Sequence, residues 1–459
     1  MSQKKTALHN EESKAALQPT LAVPSGRGSR LMRLGWMATG IAGGMMAEGV
    51  RQLALGNRPK VSDLLLTPAN ARRIAEQLAK LRGAAMKVGQ LISMESGDLL
   101  PPALAEILGR LREDARAMPR AQVRQVLLAN WGKDWEKQFK HFSFAPLAAA
   151  SIGQVHRAQT RDGRDLAIKI QYPGVRDSIA SDVDNVAGLL RLSGLLPKGM
   201  DIKPLLRDAK RQLRDEADYI REGNYLQQYG ELLADAPQCL LPTRHTDLTT
   251  RNVLAMDYVP GAPIETLLQA PQAERDRVMT LLFALLLREV FEFRLVQTDP
   301  NFANYRYDSQ SQRLVLLDFG ATRPYKARMA LDFARLIKAA MAADRAAMQA
   351  ALLAIGYIDD STQDRHRQAV LAIATQALEP FCEEGGYDFG ASDLPQRIRS
   401  QAMALGLERE FIQIPPTDAM LLQRKFGGLY LLAIRLKARV DLHALASQAF
   451  LKVMPARPP

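Results

Sequence analysis

Cysteine and histidine are scarce in this sequence. Among 459 residues there are two cysteines, Cys239 and Cys382, and six histidines. The two thiols stand alone, without the close spacing of a metal site, and so isolated a pair is not a disulfide framework. We therefore expect a reducing compartment, no structural disulfide and no zinc site.

Aromatic residues are also few, at 6% of the chain, and no basic stretch is interleaved with aromatic side chains. Proteins bind single-stranded nucleic acids by stacking the bases on such side chains, so we expect no nucleic-acid partner. The net charge is nonetheless +12 and the pI is near 9.7. This excess favours an anionic partner, such as a nucleotide or an anionic lipid, or else marks a solvated basic surface.

The start of the chain has an uncharged segment that is too short to be a secure membrane span. Residues 34–47 read LGWMATGIAGGMMA, and these 14 residues would form roughly 21 Å of helix against a hydrocarbon core of roughly 30 Å. Gly40 and Gly44 form a GxxxG pattern that lets two helices approach closely. Residues 30–56 are therefore predicted to form a membrane-contacting or dimerising helix, with a soluble glycine-rich helix as the alternative. The polar residues 1–29 predict a disordered tail, and their acidic residues argue against a transit peptide.

Residues 57–141 predict a helical extension, because apolar residues recur there at helical spacing. Lys87 and Gln90 lie three residues apart and so share one helix face, while Gly89 allows another backbone to approach closely. A lysine in such a place is ordinarily solvated. The motifs that follow favour a role for it near an active site.

The pattern changes to strands from residue 142. Strands are predicted over 142–147, 155–160 and 166–171, with a hairpin turn over 161–164. This order, with Lys169 on the third strand, is typical of a kinase amino-terminal lobe. A loop of small residues joins the first two strands. Its residues that we expect to bind nucleotide phosphates are Ala148, Ala149, Ala150, Ser151, Gly153 and Gln154. Alanine lacks the positive-φ freedom of glycine, so the grip on phosphate should differ from that of an ordinary kinase.

A long helix is predicted over 203–233, and it carries three acidic residues of interest, Glu216, Asp218 and Glu222. A kinase needs one helix glutamate to pair with its strand lysine, and Glu222 is our choice for Lys169. Glu216 and Asp218 then remain as acids near the site, for which Lys87 is an available cation. A solvated acidic helix face is the alternative.

The strand predicted over 252–258 leads into Val259-Pro260-Gly261, a natural hinge between two lobes. Backbone groups from Asp257 to Val259 could hold the adenine of a nucleotide. Residues 142–260 would then form one lobe, and the mostly helical residues 261–459 the other, with long helices predicted over 273–293 and 327–354. The sequence thus predicts an α+β, protein-kinase-like two-lobed fold with an added N-terminal helical extension and a helix-rich C-lobe.

The stretch 297–320, QTDPNFANYRYDSQSQRLVLLDFG, carries two acids and an amide in a specific order. Asp299 and Asn304 lie five residues apart in a predicted loop, and an apolar strand then leads to Asp318 of the DFG sequence. In kinase-fold phosphoryl transfer, an aspartate lies near the acceptor, and an asparagine and the DFG aspartate bind Mg²⁺. Asp299 is therefore predicted to orient or deprotonate a hydroxyl or water, and Asn304 and Asp318 to bind Mg²⁺ for ATP.

These motifs together resemble the UbiB family of atypical kinases, also called aarF-domain kinases. The segments that carry the resemblance are MKVGQ (86–90), AAASIGQVH (148–156), AIKIQYPGV (167–175), EADYIRE (216–222), QTDPNFAN (297–304) and LLDFGATR (316–323). The form around Asp299 is more similar to the eukaryotic coenzyme Q group than to the bacterial Asp-Pro-His-Pro-Gly-Asn form.

The resemblance implies an extension with Lys87, Gly89 and Gln90 that folds over the active site and blocks the protein-substrate position. It implies that Lys87 contacts Glu216 or Asp218. It also implies ATPase activity in ubiquinone biosynthesis at a membrane, with membrane lipids and quinone-pathway precursors or enzymes as partners. We expect a cytoplasmic protein, peripheral on the inner-membrane surface, and the GxxxG pattern of Gly40 and Gly44 would allow a homodimer.

Three functions compete: an ATPase of this type, a protein or small-molecule kinase, and a nucleotide-gated scaffold without turnover. The sequence disfavours a protein kinase, because Asp299 follows Gln-Thr rather than His-Arg and because no long activation segment follows Gly320. Intact Lys169, Asn304 and Asp318 disfavour the scaffold.

Overall fold

The structure is a computed structural model that describes residues 117–150, 152–192, 203–407 and 415–453. Several residues singled out above lie outside these ranges, namely Gly40, Gly44, Lys87, Gly89, Gln90 and Ser151. The roles expected for them, including the GxxxG helix and the helical extension over the active site, stay predictions.

Strands and helices alternate irregularly along the described chain. The strands are β1 (Phe139–Ala149), β2 (Gly153–Thr160), β3 (Asp165–Gln171), β4 (Cys239–Leu240), β5 (Val253–Asp257), β6 (Ala262–Pro263), β7 (Leu295–Gln297), β8 (Tyr305–Asp308), β9 (Arg313–Leu316), β10 (Thr322–Pro324), β11 (Tyr387–Asp388) and β12 (Arg439–Val440). The α-helices are α1 (Arg120–Trp131), α2 (Val175–Leu192), α3 (Lys203–Glu216), α4 (Tyr219–Leu232), α5 (Gln272–Leu287), α6 (Ala327–Met341), α7 (Arg345–Ile355), α8 (Asp364–Ala377), α9 (Glu379–Cys382), α10 (Leu394–Leu407), α11 (Thr417–Leu436) and α12 (Leu442–Val453). No helix in these described ranges is long and apolar enough to cross a membrane.

The chain divides into two compact units. Unit 1 includes the described residues of Leu100–Gln227 and Pro242–Val259, and unit 2 includes those of Gln228–Leu241 and Pro260–Pro459. The last turn of α4 therefore belongs to unit 2, as does β4.

Unit 1 is built on a four-stranded antiparallel sheet in the order β1-β2-β3-β5. Side chains alternate between the two faces of a strand, and β3 uses both faces. Leu166, Ile168 and Ile170 lie in an apolar core that also contains Leu127 of α1. Lys169 lies between them in sequence and so points to the opposite face, where it is buried as well.

The long helix predicted over 203–233 is wrong, because the structure has α3 and α4 with a break between Glu216 and Tyr219. The Asp218 carboxylate accepts a hydrogen bond from the Arg221 backbone N–H (3.2 Å). Aspartate in this position caps a helix start and competes with continuation of the preceding helix. The break thus follows from a local side-chain bond.

Unit 2 contains a second four-stranded sheet, in the order β4-β9-β8-β6, and the two-stranded pairs β7–β10 and β11–β12. Helix α5 continues directly into a π-helical turn, Arg288–Phe293, so helix is present throughout the predicted range 273–293. Aromatic rings join α5 to α11 in the core: Phe283 stacks on Phe389 (5.6 Å between centroids), and Phe389 packs against Tyr430 (5.5 Å).

The second long helix expected, over 327–354, is also two helices, α6 and α7. Ala343 has a φ of 53°, which a continuous helix does not allow. The Asp344 carboxylate then caps α7 by accepting from the Ala347 N–H (2.9 Å). Here too an aspartate caps a helix start, at a boundary that helical periodicity alone does not predict.

Candidate active site

Lys169 and Glu222 form a buried ion pair within unit 1. The Lys169 Nζ lies 2.8 Å from Glu222 Oε1 and 3.0 Å from Oε2, and both residues are less than a tenth exposed. Lys169 also lies over the ring of Tyr219, 5.2 Å from its centroid. Helix α4 thus holds the β3 lysine through the Glu222 carboxylate and the Tyr219 ring. A strand lysine paired with a helix glutamate is the arrangement that a kinase needs.

The other two acids of the predicted set lie where α3 ends and α4 begins. Glu216 is the last residue of α3 and is half-buried. Asp218 caps α4, and its carboxylate lies 3.9 Å from Arg251 Nε. Their expected contact with Lys87 involves a residue outside the described chain and stays a prediction.

The small-residue segment is a hairpin rather than an open loop. Ala148 and Ala149 belong to β1 and pair with β2, with Ala149 opposite Gln154. The Ala150 N–H donates to the Gly153 carbonyl (2.8 Å). The expectation of a loop from residue 148 is therefore wrong at its start, because pairing with β2 extends β1. The phosphate-binding role of these residues stays a prediction.

Gly153, the first residue of β2 in this hairpin, is required by close packing. A Cβ atom there would lie 2.3 Å from the Ile170 carbonyl oxygen and 2.8 Å from the Tyr219 hydroxyl. A backbone oxygen cannot move away cheaply, so only glycine fits. The same Tyr219 contacts Lys169, and thus the hairpin lies against the residues that hold the lysine.

The Gln154 side chain is hydrogen-bonded in the interior of unit 1. Its Oε1 accepts from the Met118 N–H (2.8 Å), and its Nε2 lies 2.7 Å from His156 Nε2. His156 Nδ1 in turn lies 2.8 Å from the Ser143 carbonyl oxygen. Burial lowers the pKa of His156 to about 4, so its ring is neutral near pH 7, with Nδ1–H donating to Ser143 and Nε2 accepting from Gln154. The Gln154 backbone is paired within the sheet as well, opposite Ala149 of β1 and Ile170 of β3, so its predicted phosphate contact stays a prediction.

The backbone at the end of unit 1, which was predicted to hold adenine, is partly occupied. The Asp257 N–H donates to the Thr243 carbonyl (3.0 Å), and the Tyr258 N–H donates to the Asp165 carbonyl (2.9 Å). Among the predicted adenine contacts, the Asp257 N–H is therefore already used. The part assigned to Val259 stays a prediction.

Unit 2 carries Asp299, Asn304 and Asp318, and backbone pairing draws together the stretch that holds them. Strand β7, just before Asp299, pairs with β10, just after Gly320. The Leu317 N–H donates to the Asn304 carbonyl (3.1 Å), and Asn304 and Asp318 line the same small cavity. Two residues fourteen apart in sequence are thus neighbours in the fold.

The oxygen atoms of this group suit a hard divalent cation. Asn304 Nδ2 donates to Asp299 Oδ2 (3.2 Å), which leaves Asn304 Oδ1 for a metal. Asp318 Oδ1 accepts from the Gly320 N–H (3.0 Å). In the described part of the chain, no group of three or more His, Cys, Asp or Glu residues could hold a metal. The Asn304 amide oxygen and the Asp318 carboxylate fit Mg²⁺, which binds through one or two carboxylates and completes its shell with phosphates and water.

A buried polar group adjoins Phe319 of the DFG sequence. The Phe319 ring packs against Tyr229 (4.7 Å between centroids), and the Tyr229 hydroxyl donates to Glu289 Oε1 (2.7 Å). Glu289 lies on the π-helical turn after α5, a type of distortion that often marks functional sites. Its Oε1 also accepts from the Gln297 N–H (3.3 Å), so the group reaches β7, the strand that precedes Asp299.

Sequence reasoning missed two residues of this site, Arg424 and Lys425, both on α11. Lys425 Nζ donates to Gln297 Oε1 (2.8 Å) and to the Tyr305 hydroxyl (2.5 Å). Arg424 Nη2 lies 3.5 Å from Asp299 Oδ1. One signal was available: Lys425 stands four residues from both Leu421 and Leu429, inside an apolar helix stripe where a lysine needs a buried partner.

Lys425 is charged although it is buried. Burial alone would lower the pKa of its ammonium group, but the nearby Tyr305 and Glu289 oxygens raise that pKa above its ordinary value. Lys425, Glu289 and Gln297 line the same cavity as Asn304 and Asp318. The cavity measures about 20 Å³, which is room for about one water molecule.

The buried lysine–glutamate pair, the Asp299/Asn304 loop and the DFG aspartate define a kinase-like phosphotransferase. Comparison with known proteins gives the family. The family described as ABC1 atypical kinase-like domain matches residues 110–352, and the chain belongs to it. The expected fold class, family and enzyme class are thereby confirmed. A kinase-like fold implies ATP binding.

Relatives match almost the whole chain. "Atypical kinase COQ8, mitochondrial" of Saccharomyces cerevisiae is 36% identical over 448 residues, which is 96% of this chain and 88% of that protein. "Atypical kinase COQ8B, mitochondrial" of Rattus norvegicus is 38% identical over 434 residues, 93% of this chain and 81% of that protein. Among solved structures, Rv3197 of Mycobacterium tuberculosis, solved with erythromycin, matches with a TM-score of 0.59. At 24% identity, covering 85% of this chain and 97% of that one, it supports the fold alone.

Proposed function

We propose that this protein binds Mg-ATP and hydrolyses it in support of ubiquinone (coenzyme Q) biosynthesis at a membrane surface. The observation that carries the proposal is the buried Lys169–Glu222 pair, 2.8 Å between Nζ and Oε1. A buried ion pair is costly to maintain and adds little stability over apolar residues. In a kinase-like protein, its use is to aim a lysine at nucleotide phosphates.

Each residue of the site has a part in this chemistry. The Lys169 ammonium, oriented by Glu222, places positive charge at the phosphates. Asn304 and Asp318 would hold Mg²⁺, which neutralises charge on the phosphates when it is bound. Asp299, oriented by Asn304 Nδ2, would orient the attacking water or hydroxyl. The rate would then come from positioning and electrostatics rather than from covalent chemistry.

The chain after the DFG sequence favours water or a small acceptor over a protein. Residues Thr322–Pro324 pair with β7, and α6 begins at Ala327. Ala327 comes nine residues after Asp318, so this part of the described chain has no long segment on which a substrate peptide could lie. This observation supports an ATPase or a small-molecule phosphotransferase.

The role in ubiquinone synthesis is supported by the relatives, whose names include COQ8. Membrane lipids and quinone-pathway precursors or enzymes are the proposed partners, and the GxxxG helix with Gly40 and Gly44 is the proposed membrane contact and dimer interface. Peripheral attachment to an inner-membrane surface completes the proposal. The relatives are named as mitochondrial, and the cytoplasmic face of the membrane stays part of the proposal.

A phosphate-release assay tests the proposal. Purified protein is given Mg-ATP with and without anionic liposomes and a phenolic quinone precursor. Asp318→Asn removes a metal ligand, and Asp360→Asn, a change at an exposed aspartate, is the matched control. We expect release that rises with liposomes, is lost in Asp318→Asn and persists in Asp360→Asn. Transfer of labelled phosphate to the precursor or to a protein would contradict hydrolysis and support a kinase.

A further inference from the structure

We infer that helix α11 is a working part of the active site, in which Lys425 and Gly428 position the loop 298–304 and Arg424 orients Asp299. This inference rests on the proposed use of that loop in Mg-ATP chemistry. The helix, Thr417–Leu436, lies beyond the kinase-like match, which ends at residue 352. None of the motifs discussed above includes it.

Lys425 holds the two ends of the loop together. Gln297, whose Oε1 accepts from Lys425, is the last residue of β7, and Tyr305, whose hydroxyl also accepts from it, is the first residue of β8. The loop that carries Asp299 and Asn304 runs between these two anchors. One buried ammonium therefore fixes both points at which the loop leaves the sheet strands.

The position of Gln297 gives this contact a further meaning. In the protein-kinase catalytic loop, a histidine stands two residues before the catalytic aspartate, and this chain has Gln297 there. The side-chain oxygen of Gln297 is bound by Lys425 and its backbone N–H by Glu289. A lysine and a glutamate from two other helical segments thus support the site where ordinary kinases have histidine.

Gly428 lets the helix backbone approach the loop. A Cβ atom at Gly428 would lie 2.3 Å from the Pro300 Cβ and 3.1 Å from its Cγ. Pro300 directly follows Asp299, and its ring is rigid, so a side chain at 428 would push the loop itself. A Cβ atom at the adjacent Gly427 would meet no atom within 4 Å, which makes Gly427 a matched control in the same helix.

Arg424 completes the restraint on Asp299. Arg424 Nη2 approaches Asp299 Oδ1 (3.5 Å), while Asn304 Nδ2 donates to Oδ2 (3.2 Å). One oxygen of the Asp299 carboxylate therefore contacts a cation, and the other contacts an amide. These two contacts orient the plane of the carboxylate. Arg424 acts as a positioning residue, because it contacts the aspartate rather than a reacting atom.

The test uses the full chain and compares Gly428→Ala with Gly427→Ala. The first measurement is hydrogen exchange of the 298–304 amides without nucleotide. We expect faster exchange in Gly428→Ala alone, with the β1–β3 amides unchanged. The second is ADP binding across a Mg²⁺ titration. We expect the Mg²⁺ concentration for half-maximal binding to rise roughly 10-fold in Gly428→Ala, as for other changes to the support of a metal ligand, and ADP binding in EDTA to change little.

A second pair of variants keeps the test decisive if Gly428→Ala does not fold. Arg424→Gln is compared with Arg435→Gln, whose side chain is 57% exposed near the end of the same helix. We expect kcat for ATP hydrolysis to fall roughly 10-fold or more in Arg424→Gln with KM nearly unchanged, because misplacing a reacting group costs rate rather than binding. Arg435→Gln should behave as the wild type.

The inference would be overturned if Gly428→Ala and Gly427→Ala had the same exchange rates at the 298–304 amides and the same Mg²⁺ dependence of ADP binding. Helix α11 would then serve only in packing. Wild-type protein that binds no nucleotide with Mg²⁺ would contradict the proposed function instead. In that case, the exchange measurement still decides whether α11 positions the loop.

Discussion

The Lys169 ammonium lies 2.8 Å from the Glu222 carboxylate, and neither side chain is more than a tenth exposed to solvent. Both charges are largely removed from solvent, so each is stabilised by the other. The pair therefore links the stability of unit 1 to the residue that is proposed to bind phosphate, and the two effects can be separated by mutation.

Lys169→Met leaves Glu222 buried without its partner. We expect the free energy of unfolding to fall by about 3–5 kcal/mol, measured by urea denaturation, because an uncompensated buried charge is strongly destabilising. The double variant Lys169→Met with Glu222→Gln should recover most of that loss and yet bind no ATP. Recovery of ATP binding along with stability would contradict the phosphate-binding role of Lys169.

Gly153→Ala should destabilise unit 1 by roughly 1–3 kcal/mol, a usual cost of overpacking. The cause is the Ile170 carbonyl oxygen, 2.3 Å from the added Cβ. Gly230→Ala on α4, where a Cβ meets no atom within 4 Å, is the control and should be neutral or stabilising because alanine favours helix. Thermal unfolding of both variants is the measurement, and equal melting temperatures would show that the hairpin relaxes to accept a side chain.

His156 predicts a pH dependence of stability. Burial lowers its pKa from 6.5 to about 4 in the folded protein, so the unfolded chain binds more protons between these two values. The stabilising contribution is therefore complete above about pH 6.5 and is lost as the pH falls towards 4, by about 3 kcal/mol in total. Urea denaturation from pH 4 to 7 is the measurement. His156→Gln should remove this part of the dependence, and an identical pH profile in the variant would contradict it.

Asn304→Ala removes the amide oxygen proposed for Mg²⁺. We expect ADP binding to need at least roughly 10-fold more Mg²⁺, measured by calorimetry, while binding in EDTA is unchanged. Asp360→Asn, a change at an exposed aspartate outside this loop, is the control. The same Mg²⁺ requirement in both variants would argue against a metal-ligand role for Asn304.

The sequence allowed much of this site to be predicted, because its signals are local. The segments around Lys169 have the residue composition of strands, with a hairpin turn between two of them. An apolar segment leads to Asp318. The order of these elements along the chain is therefore predictable from the sequence. The pairing of Lys169 with Glu222 followed from the kinase arrangement, in which a helix glutamate pairs with the strand lysine. The break at Asp218 was missed because one side-chain cap outweighed helical periodicity.

Lys425 and Arg424 could not be predicted in the same way. They lie more than a hundred residues from Asp299 and Tyr305, and no spacing rule relates such distant positions. The size of glycine at 428 is likewise meaningful only beside Pro300, a contact that appears only in the folded chain. A lysine inside an apolar helix stripe indicates a buried partner, but only the structure identifies that partner.

The most direct test of the central claim is calorimetric titration of ATP, with and without Mg²⁺, into wild-type protein and Asp318→Asn. We predict that Mg²⁺ strengthens ATP binding to the wild type and has no such effect on Asp318→Asn, with Asp360→Asn behaving as the wild type. ATP binding that is equally strengthened by Mg²⁺ in wild type and Asp318→Asn would contradict the site proposed here.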